Sequence, residues 1–246
     1  MKLGLPAVWV LPAVLFHFSN VSAQSQQEDS IFYQTALSHT LAIYYDQIGD
    51  QSRLLNGAQF PEYEFRFQKG SPYFISDKPQ AGSVVYDSVY YPNQLVLFDN
   101  YRQFLVVVDQ SFKLKLVNER VNAFAIGEHH FIRAPEKNNS GLVFPWYYEV
   151  VYSGRSQLLK HSYKKYSEII TVEEGVTRIL DQSDYYYIKH GESYVLVNSK
   201  RSLLNFMDSH RKEVQKYIRK KGLNYKDDLQ NTLIAAASYY DQLDNH

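Results

Sequence analysis

The sequence predicts an α+β fold, in which an antiparallel β-meander sheet carries an N-terminal helix and C-terminal helices packed on one face or end. Two patterns predict it. The middle of the chain consists of short β-branched and aromatic runs separated by turn residues, whereas apolar residues near the N-terminus and in the last fifth recur at helical spacing. Because there is no repeat of fixed period and no linker, we expect a single α+β domain over residues 24–246.

The best-marked strands lie in residues 83–108, SVVYDSVYYPNQLVLFDNYRQFLVVV. Runs of Val, Tyr, Leu and Phe are interrupted there at Asp87-Ser88, Pro92-Asn93 and Asp99-Asn100. Such interruptions are typical of consecutive antiparallel strands joined by tight turns. This stretch therefore predicts a β-meander.

Further strands are predicted on both sides of the meander. Upstream, Tyr63, Phe65 and Phe67 alternate at strand spacing. Downstream, residues 112–117 alternate, and residues 169–180 favour strands because of their Val and Thr content. The alternation over 112–117 places Phe112, Leu114 and Leu116 on one face of the strand. Hairpins are predicted around Gly127, Ser153-Gly154 and His190-Gly191-Glu192.

Helical spacing marks both ends of the chain. An N-terminal helix is predicted from Tyr33, Leu37, Leu41, Tyr44 and Ile48. In the last fifth, Ser199, Asp208 and Asn224 are each predicted to cap a helix, and Gly222 to end the second of the three. Since each helix has one apolar side, we expect the helices to cover part of the sheet.

Residues 1–23 have the pattern of a secretory signal peptide. Lys2 precedes an apolar run, and small residues near Ala23 predict cleavage after it. Two prolines interrupt the run, which is shorter than the roughly 20 apolar residues of a membrane span. No later segment is long enough to cross a bilayer. We therefore predict export without a transmembrane span.

The chain has no cysteine, so disulfides and thiolate metal sites are excluded. A cysteine-free exported chain of this length fits a bacterial periplasm or exterior better than a disulfide-rich secreted class. The 26 basic and 26 acidic residues cancel, which argues against a nucleic-acid partner. The 22 tyrosines predict a sheet with aromatic faces.

No catalytic template is matched. His129-His130 is the first place to look for a metal, but neighbouring residues of a strand point to opposite faces. Glu62 with Glu64, and Glu173 with Glu174, are carboxylate pairs that more often solvate a sheet than hydrolyse a glycoside. There is no G-x-S-x-G elbow. We therefore predict no catalytic residues, no metal and no cofactor.

A basic stripe covers the second terminal helix. We interpret it as a solvated helix face, because Lys and Arg near a C-terminus complement the helix dipole. Contact with anionic lipid, lipopolysaccharide or nucleic acid is the alternative. The stripe consists of His210, Arg211, Lys212, Lys216, Arg219, Lys220 and Lys221.

The order of turn and strand markers resembles uncharacterised secreted proteins common in Bacteroidetes. The resemblance implies an envelope location and a sheet-plus-helix fold, and it brings no catalytic residues. It rests on Asn56-Gly57, Gly70-Ser71-Pro72-Tyr73-Phe74, Gly82-Ser83-Val84-Val85-Tyr86, residues 90–99, Tyr185-Tyr186-Tyr187, Tyr194 and a Lys-rich closing helix ending in Tyr239-Tyr240.

Aromatic clusters supply the candidate binding residues, which are Trp146, Tyr147 and Tyr186. We predict that residues 146–148 and 185–187 lie on adjacent strands with at least one ring of each open on the same face, as a platform for a sugar or peptide. The alternative is that these rings only pack the sheet.

Together these patterns predict a secreted protein of the bacterial envelope that is a binding or assembly module, with an envelope protein or polymer as its partner. A hydrolase acting on envelope polymers is the first alternative, and facing carboxylates in a cleft would favour it. A carrier of an apolar ligand between the sheet and its helices is the second, and a deep apolar pocket would favour it.

Overall fold

A computed structural model describes residues 53–109, 112–134, 141–145, 147–173 and 175–243. All of them belong to one compact unit, 42–246. The predicted signal peptide, the predicted N-terminal helix and Trp146 lie outside the described residues, so these assignments and the domain bounds stay predictions. Within the described ranges, no helix is long and apolar enough to cross a membrane.

The described residues form one antiparallel sheet of eleven strands in the order β1-β5-β4-β3-β2-β6-β7-β8-β9-β10-β11. This confirms the predicted antiparallel sheet. The strands are β1 Ala58–Gln59, β2 Gln80–Tyr86, β3 Val89–Asp99, β4 Phe104–Asp109, β5 Phe112–Lys115, β6 Val121–Ile126, β7 His129–Arg133, β8 Tyr147–Tyr152, β9 Leu158–Thr171, β10 Gly175–His190 and β11 Ser193–Leu196.

The predicted meander is formed by β2 to β5, in which β2 pairs with β3, β3 with β4, and β4 with β5. Asp87 and Ser88, with φ of 50° and 64°, make the tight turn between β2 and β3. The turn predicted at Pro92-Asn93 is wrong, because β3 runs through both residues. Asn93 has a φ of 54°, and the β2–β3 register shifts between Gly82 and Val84, so the strand bulges there instead of turning.

One strand assignment near the start of the sheet is also wrong. Residues 61–68 are not a strand, and the rings of Tyr63 and Phe67 meet edge to face with centroids 5.2 Å apart. The three rings of Tyr63, Phe65 and Phe67 therefore pack on one another instead of forming a strand. The alternating strand predicted over residues 112–117 is present as β5. Phe112 is 68 % exposed there, because it lies beside the turn of the β4–β5 hairpin.

The predicted strands over residues 169–180 are confirmed as part of the longest hairpin, β9–β10. These strands pair from Leu158 with Ile188 to Thr171 with Gly175. Their neighbours β8 and β11 pair only with the base of the hairpin, at residues 158–160 and 187–190. The distal part of the hairpin therefore extends past the rest of the sheet. There the backbone of residues 68–69 forms hydrogen bonds with the backbone of Arg178 and Leu180.

Three helices follow the sheet: α1 Lys200–Phe206, α2 Arg211–Lys220 and α3 Leu229–Leu243. The predicted cap at Ser199 is confirmed, since its side chain accepts from the Ser202 N–H in a capping box. The other two predicted caps are wrong. His210 precedes α2, after a 3₁₀ turn that begins at Asp208. Asp228, and not Asn224, accepts from an N–H in the first turn of α3.

The helices cover one end of the sheet. Leu158, Tyr186 and Ile188 from β9 and β10 pack with apolar residues of all three helices, including Leu203, Val214, Leu233 and Ala236. On the opposite face of the same strands, Leu159 and Tyr187 pack with Tyr148 of β8. The sheet is therefore covered on both faces where β8, β9 and β10 meet.

Candidate functional site

Tyr147 and Tyr186 do not form the predicted platform. Only 2 % of Tyr147 and 5 % of Tyr186 is exposed, and β9 lies between the strands that carry them. The prediction of adjacent strands is therefore wrong, and neither Tyr147 nor Tyr186 is an open ring. Consecutive strand residues point to opposite faces, but the sheet is covered on both faces at Tyr147 and Tyr186, so both side chains are buried.

Both rings have structural contacts. Tyr147 packs against Phe98 and Phe124, and its hydroxyl donates to the Asn118 Oδ1 over 3.1 Å. The Tyr186 N–H donates to the Asn198 Oδ1 over 2.7 Å, and its ring lies in the helix-covered core. Burial raises the pKa of both hydroxyls, so both stay protonated at neutral pH.

A different group of rings lies partly open beside the predicted positions. We name Phe144, His161, Tyr163 and Tyr185 the aromatic cluster. Phe144 stacks on His161 with centroids 4.4 Å apart and on Tyr163 at 5.5 Å, and it meets Tyr185 at 4.9 Å. His161 pairs with Tyr185 across β9 and β10, which places both on one face of adjacent strands. Tyr163 shares that face and is 44 % exposed.

A cleft of about 200 Å³ opens beside this cluster, and we name it the aromatic cleft. It lies where β9 continues beyond β8, between the turn after β3 and the residues preceding β8. The aromatic cleft is lined by Asn100, Tyr101, Arg102, Gln103, Phe144, Pro145, His161, Ser162, Tyr163 and Lys164.

Asp99 holds the turn that forms one wall of the cleft. Its Oδ1 accepts from the N–H groups of Tyr101 and Arg102, at 3.1 and 2.8 Å, and its Oδ2 accepts from the Tyr63 hydroxyl at 2.8 Å. Burial raises the pKa of Asp99, against the lowering effect of these hydrogen bonds. The turn ends at Gln103, whose φ of 58° is uncommon for a residue with a side chain.

Two hydrogen-bond acceptors are available in the aromatic cleft. The Gln103 Oε1 is buried without a partner among the described residues, while its Nε2 donates to Asn100. The His161 Nδ1 lies 3.0 Å from the Tyr147 carbonyl oxygen, which can only accept, so Nδ1 carries the hydrogen. Burial lowers the pKa of His161, so the ring is neutral and its Nε2 is an acceptor.

Lys164 closes the inner end of the cleft. Its Nζ donates to the carbonyl oxygens of Ser71 and Tyr73, at 2.6 and 2.8 Å, which ties the segment before β2 to β9. Burial lowers the pKa of Lys164 to about 8. The two carbonyl contacts give this lysine a positioning role in the cleft wall.

The other residues considered for chemistry do not converge. The His129 Nδ1 lies 2.5 Å from the Glu149 Oε1, and the described residues contain no group of three or more His, Cys, Asp or Glu that could hold a metal ion. Glu62 pairs with Lys113, and Glu64 is exposed. Glu173 is exposed at the turn of the β9–β10 hairpin, and Glu174 lies outside the described residues.

A second, larger cleft lies in the helical layer, and the sequence analysis did not predict it. It has a volume of about 570 Å³ and is formed by the start of α1, the end of α2 and the loop over 223–226. Of its residues, only Arg219 belongs to the predicted basic stripe. A sequence period identifies the face of a helix but not the loop that folds over it.

The fold and its clefts define the class of protein: a single antiparallel sheet with a helical C-terminal cover and an aromatic cleft at an internal strand edge. No protein-family model matches the chain, and no curated protein or solved structure matches it either. The residues that line the clefts therefore carry the functional argument.

Proposed function

We propose that this protein is an exported binding module of the bacterial envelope and that it holds a saccharide unit of an envelope polymer in the aromatic cleft. The observation that carries the proposal is the half-open ring of Tyr163, stacked in line with Phe144. Beside it lie the acceptors of Gln103 and His161, which have no partner among the described residues. The proposal keeps the platform function predicted for Trp146, Tyr147 and Tyr186 but assigns it to the neighbouring rings of Phe144 and Tyr163.

The chemistry of the lining supports a saccharide. A sugar ring has apolar C–H faces that pack on aromatic rings and hydroxyl groups around its edge that donate hydrogen bonds. In the aromatic cleft, Tyr101, Phe144 and Tyr163 supply rings, and the Gln103 Oε1 and His161 Nε2 supply acceptors. A volume of about 200 Å³ is below the roughly 300–1,000 Å³ of sites for drug-sized ligands, so it fits one small ring of a longer polymer.

The lining favours binding over hydrolysis. Most glycoside hydrolases place two carboxyl groups roughly 5 to 10 Å apart across the scissile bond. The described residues that line the aromatic cleft include no Asp or Glu. Asp99, behind the cleft wall, already accepts hydrogen bonds from the turn and from Tyr63.

Tyr163→Ala tests the proposal. Tryptophan fluorescence is a suitable readout because Trp146, one of two tryptophans in the sequence, directly follows Pro145 of the cleft wall. Soluble peptidoglycan fragments and other envelope polysaccharides are titrated into the protein. We expect Tyr163→Ala to weaken binding by about tenfold, from the loss of one stacking ring.

Tyr90→Ala is the matched control, because Tyr90 is 43 % exposed, on a strand whose residues do not line the cleft. It should leave the affinity unchanged. Equal effects of the two variants, or a saccharide that binds Tyr163→Ala as well as the native protein, would contradict the proposal.

A further inference from the structure

The larger cleft combines a cationic rim with an apolar floor, and we name it the cationic cleft. Its volume of about 570 Å³ lies within the range of sites for drug-sized ligands. It is lined by Asn198, Ser199, Lys200, Gln215, Ile218, Arg219, Leu223, Asn224, Tyr225 and Lys226.

Three exposed cations surround the opening: Lys200 at the start of α1, Arg219 in the last turn of α2, and Lys226 in the following loop. None of the three takes part in the ion pairs found within the described ranges. The two carboxylates that follow Lys226 have other partners, because Asp227 accepts from the Asn224 Nδ2 and Asp228 accepts from Asn231. The rim therefore presents positive charge that an anion can neutralise.

The floor is apolar. Ile218 is buried in the helical core, and Leu223 and Tyr225 pack against the same core from the loop. The Tyr225 hydroxyl is buried and has no hydrogen-bond partner among the described residues. A buried hydroxyl without a partner is costly, so a ligand oxygen that accepts from it would be favoured. Burial also raises the pKa of Tyr225, which keeps the hydroxyl a donor.

We infer that the cationic cleft binds a single-chain anionic amphiphile, with its carboxylate held by the Lys200, Arg219 and Lys226 rim and the Tyr225 hydroxyl. Its alkyl chain then lies on Ile218, Leu223 and the Tyr225 ring. Charge complementarity selects the head group, since the cleft lining supplies three cations and no carboxylate. The apolar floor selects the chain, because burial of alkyl carbon against apolar side chains is favourable. This site is separate from the aromatic cleft and does not depend on the saccharide proposal.

Calorimetry on the full chain with matched probes tests the ligand class. Decanoate has the chain and the charge, 1-decanol has the chain alone, and inorganic phosphate has charge alone. We expect decanoate to bind about tenfold or more tightly than either, with an affinity that falls as salt is added. Equal affinities for decanoate and 1-decanol, tighter binding of phosphate, or no binding of decanoate would overturn the inference.

Substitutions locate the bound probe. Arg219→Gln and Lys226→Gln should each weaken decanoate binding by about fivefold, because each removes a charge-assisted hydrogen bond, and Tyr225→Phe should weaken it with little change in shape. Lys220→Gln is the control, since Lys220 is an exposed neighbour of Arg219 that does not line the cleft. Thermal melts confirm that each variant is folded. If Lys220→Gln weakens binding as much as Arg219→Gln, the site assignment is wrong.

Discussion

Asp241 fixes the last helix to the sheet. It lies in α3 with 8 % of its surface exposed, and its carboxylate accepts from the Tyr152 hydroxyl and the Ser156 N–H, each at about 3.0 Å. Gly154 lies against the same group, since a Cβ there would lie 2.4 Å from the Asp241 Oδ2. The turn between β8 and β9 therefore needs both the glycine and the carboxylate.

Asp241→Ala should destabilise the protein by about 2 to 3 kcal/mol, because it leaves the buried Ser156 N–H and the half-buried Tyr152 hydroxyl without their acceptor. Urea unfolding measures the change. Asp208→Ala is the control: Asp208 is exposed and pairs with Arg211 at 3.5 Å, so its loss should cost at most about 0.5 kcal/mol. Similar losses in the two variants would show that Asp241 is not an anchor.

Single residues also mark what the sequence could not predict. Alternation gives the relative orientation of Tyr147 and Tyr148, yet it does not say which faces are covered, and both rings are buried. The exposed aromatic surface instead depends on Phe144, which lies outside the strands and stacks on His161 from a neighbouring loop. No local pattern marks that contact.

At the scale of elements, turns and caps were predictable where all their hydrogen bonds join residues only a few positions apart in sequence. The Ser199 cap is satisfied by Ser202, three positions on, and Asp87-Ser88 closes a two-residue hairpin. Pro92-Asn93 has turn composition as well, but pairing of β3 with β2 on both sides of it extends the strand, so a bulge forms instead. Tertiary pairing therefore decided between a turn and a bulge.

Ser88→Gly should stabilise the β2–β3 hairpin. Ser88 has a φ of 64°, which costs a residue with a Cβ about 1 kcal/mol and costs glycine little. We expect a gain of about 0.5 to 1 kcal/mol and a rise in melting temperature of about 1 to 4 °C. Ser88→Ala keeps the Cβ and should give no gain. A Ser88→Gly variant that melts no higher than Ser88→Ala would contradict the strain argument.

At the scale of the whole molecule, the antiparallel sheet and its helical end follow from the order of sequence patterns. The aromatic cleft does not, because its walls come from the turn over 100–103, from Phe144-Pro145 and from β9. Lys164 adds a fourth segment by binding the carbonyls of Ser71 and Tyr73, more than 90 positions away. Such contacts have no sequence period, so they emerge only from the folded chain.

The buried tyrosines give the whole protein a characteristic pH dependence. Burial raises the pKa of the Tyr147, Tyr148 and Tyr186 hydroxyls above the value of 10.0 for a free tyrosine. Between the unfolded and folded pKa values the unfolded chain has lost protons that the folded chain keeps, so stability falls as the pH rises. This contribution is fully present below about pH 10 and is lost above it. Lys164 acts in the opposite direction between about pH 8 and pH 10.5, because burial lowers its pKa to about 8.

We therefore expect the free energy of unfolding to hold up to about pH 10 and then to decrease steeply. Urea unfolding at a series of pH values measures this, with phenolate absorbance recorded in parallel. Tyr186→Phe should make the decrease shallower, since it removes one shifted hydroxyl and only a 3.3 Å hydrogen bond to Gln230. Exposed tyrosines such as Tyr90 and Tyr163 ionise in the folded protein, so only the last part of the phenolate absorbance, from the buried rings, should appear together with unfolding. If unfolding at alkaline pH brings no further rise in phenolate absorbance, the buried tyrosines do not control alkaline stability.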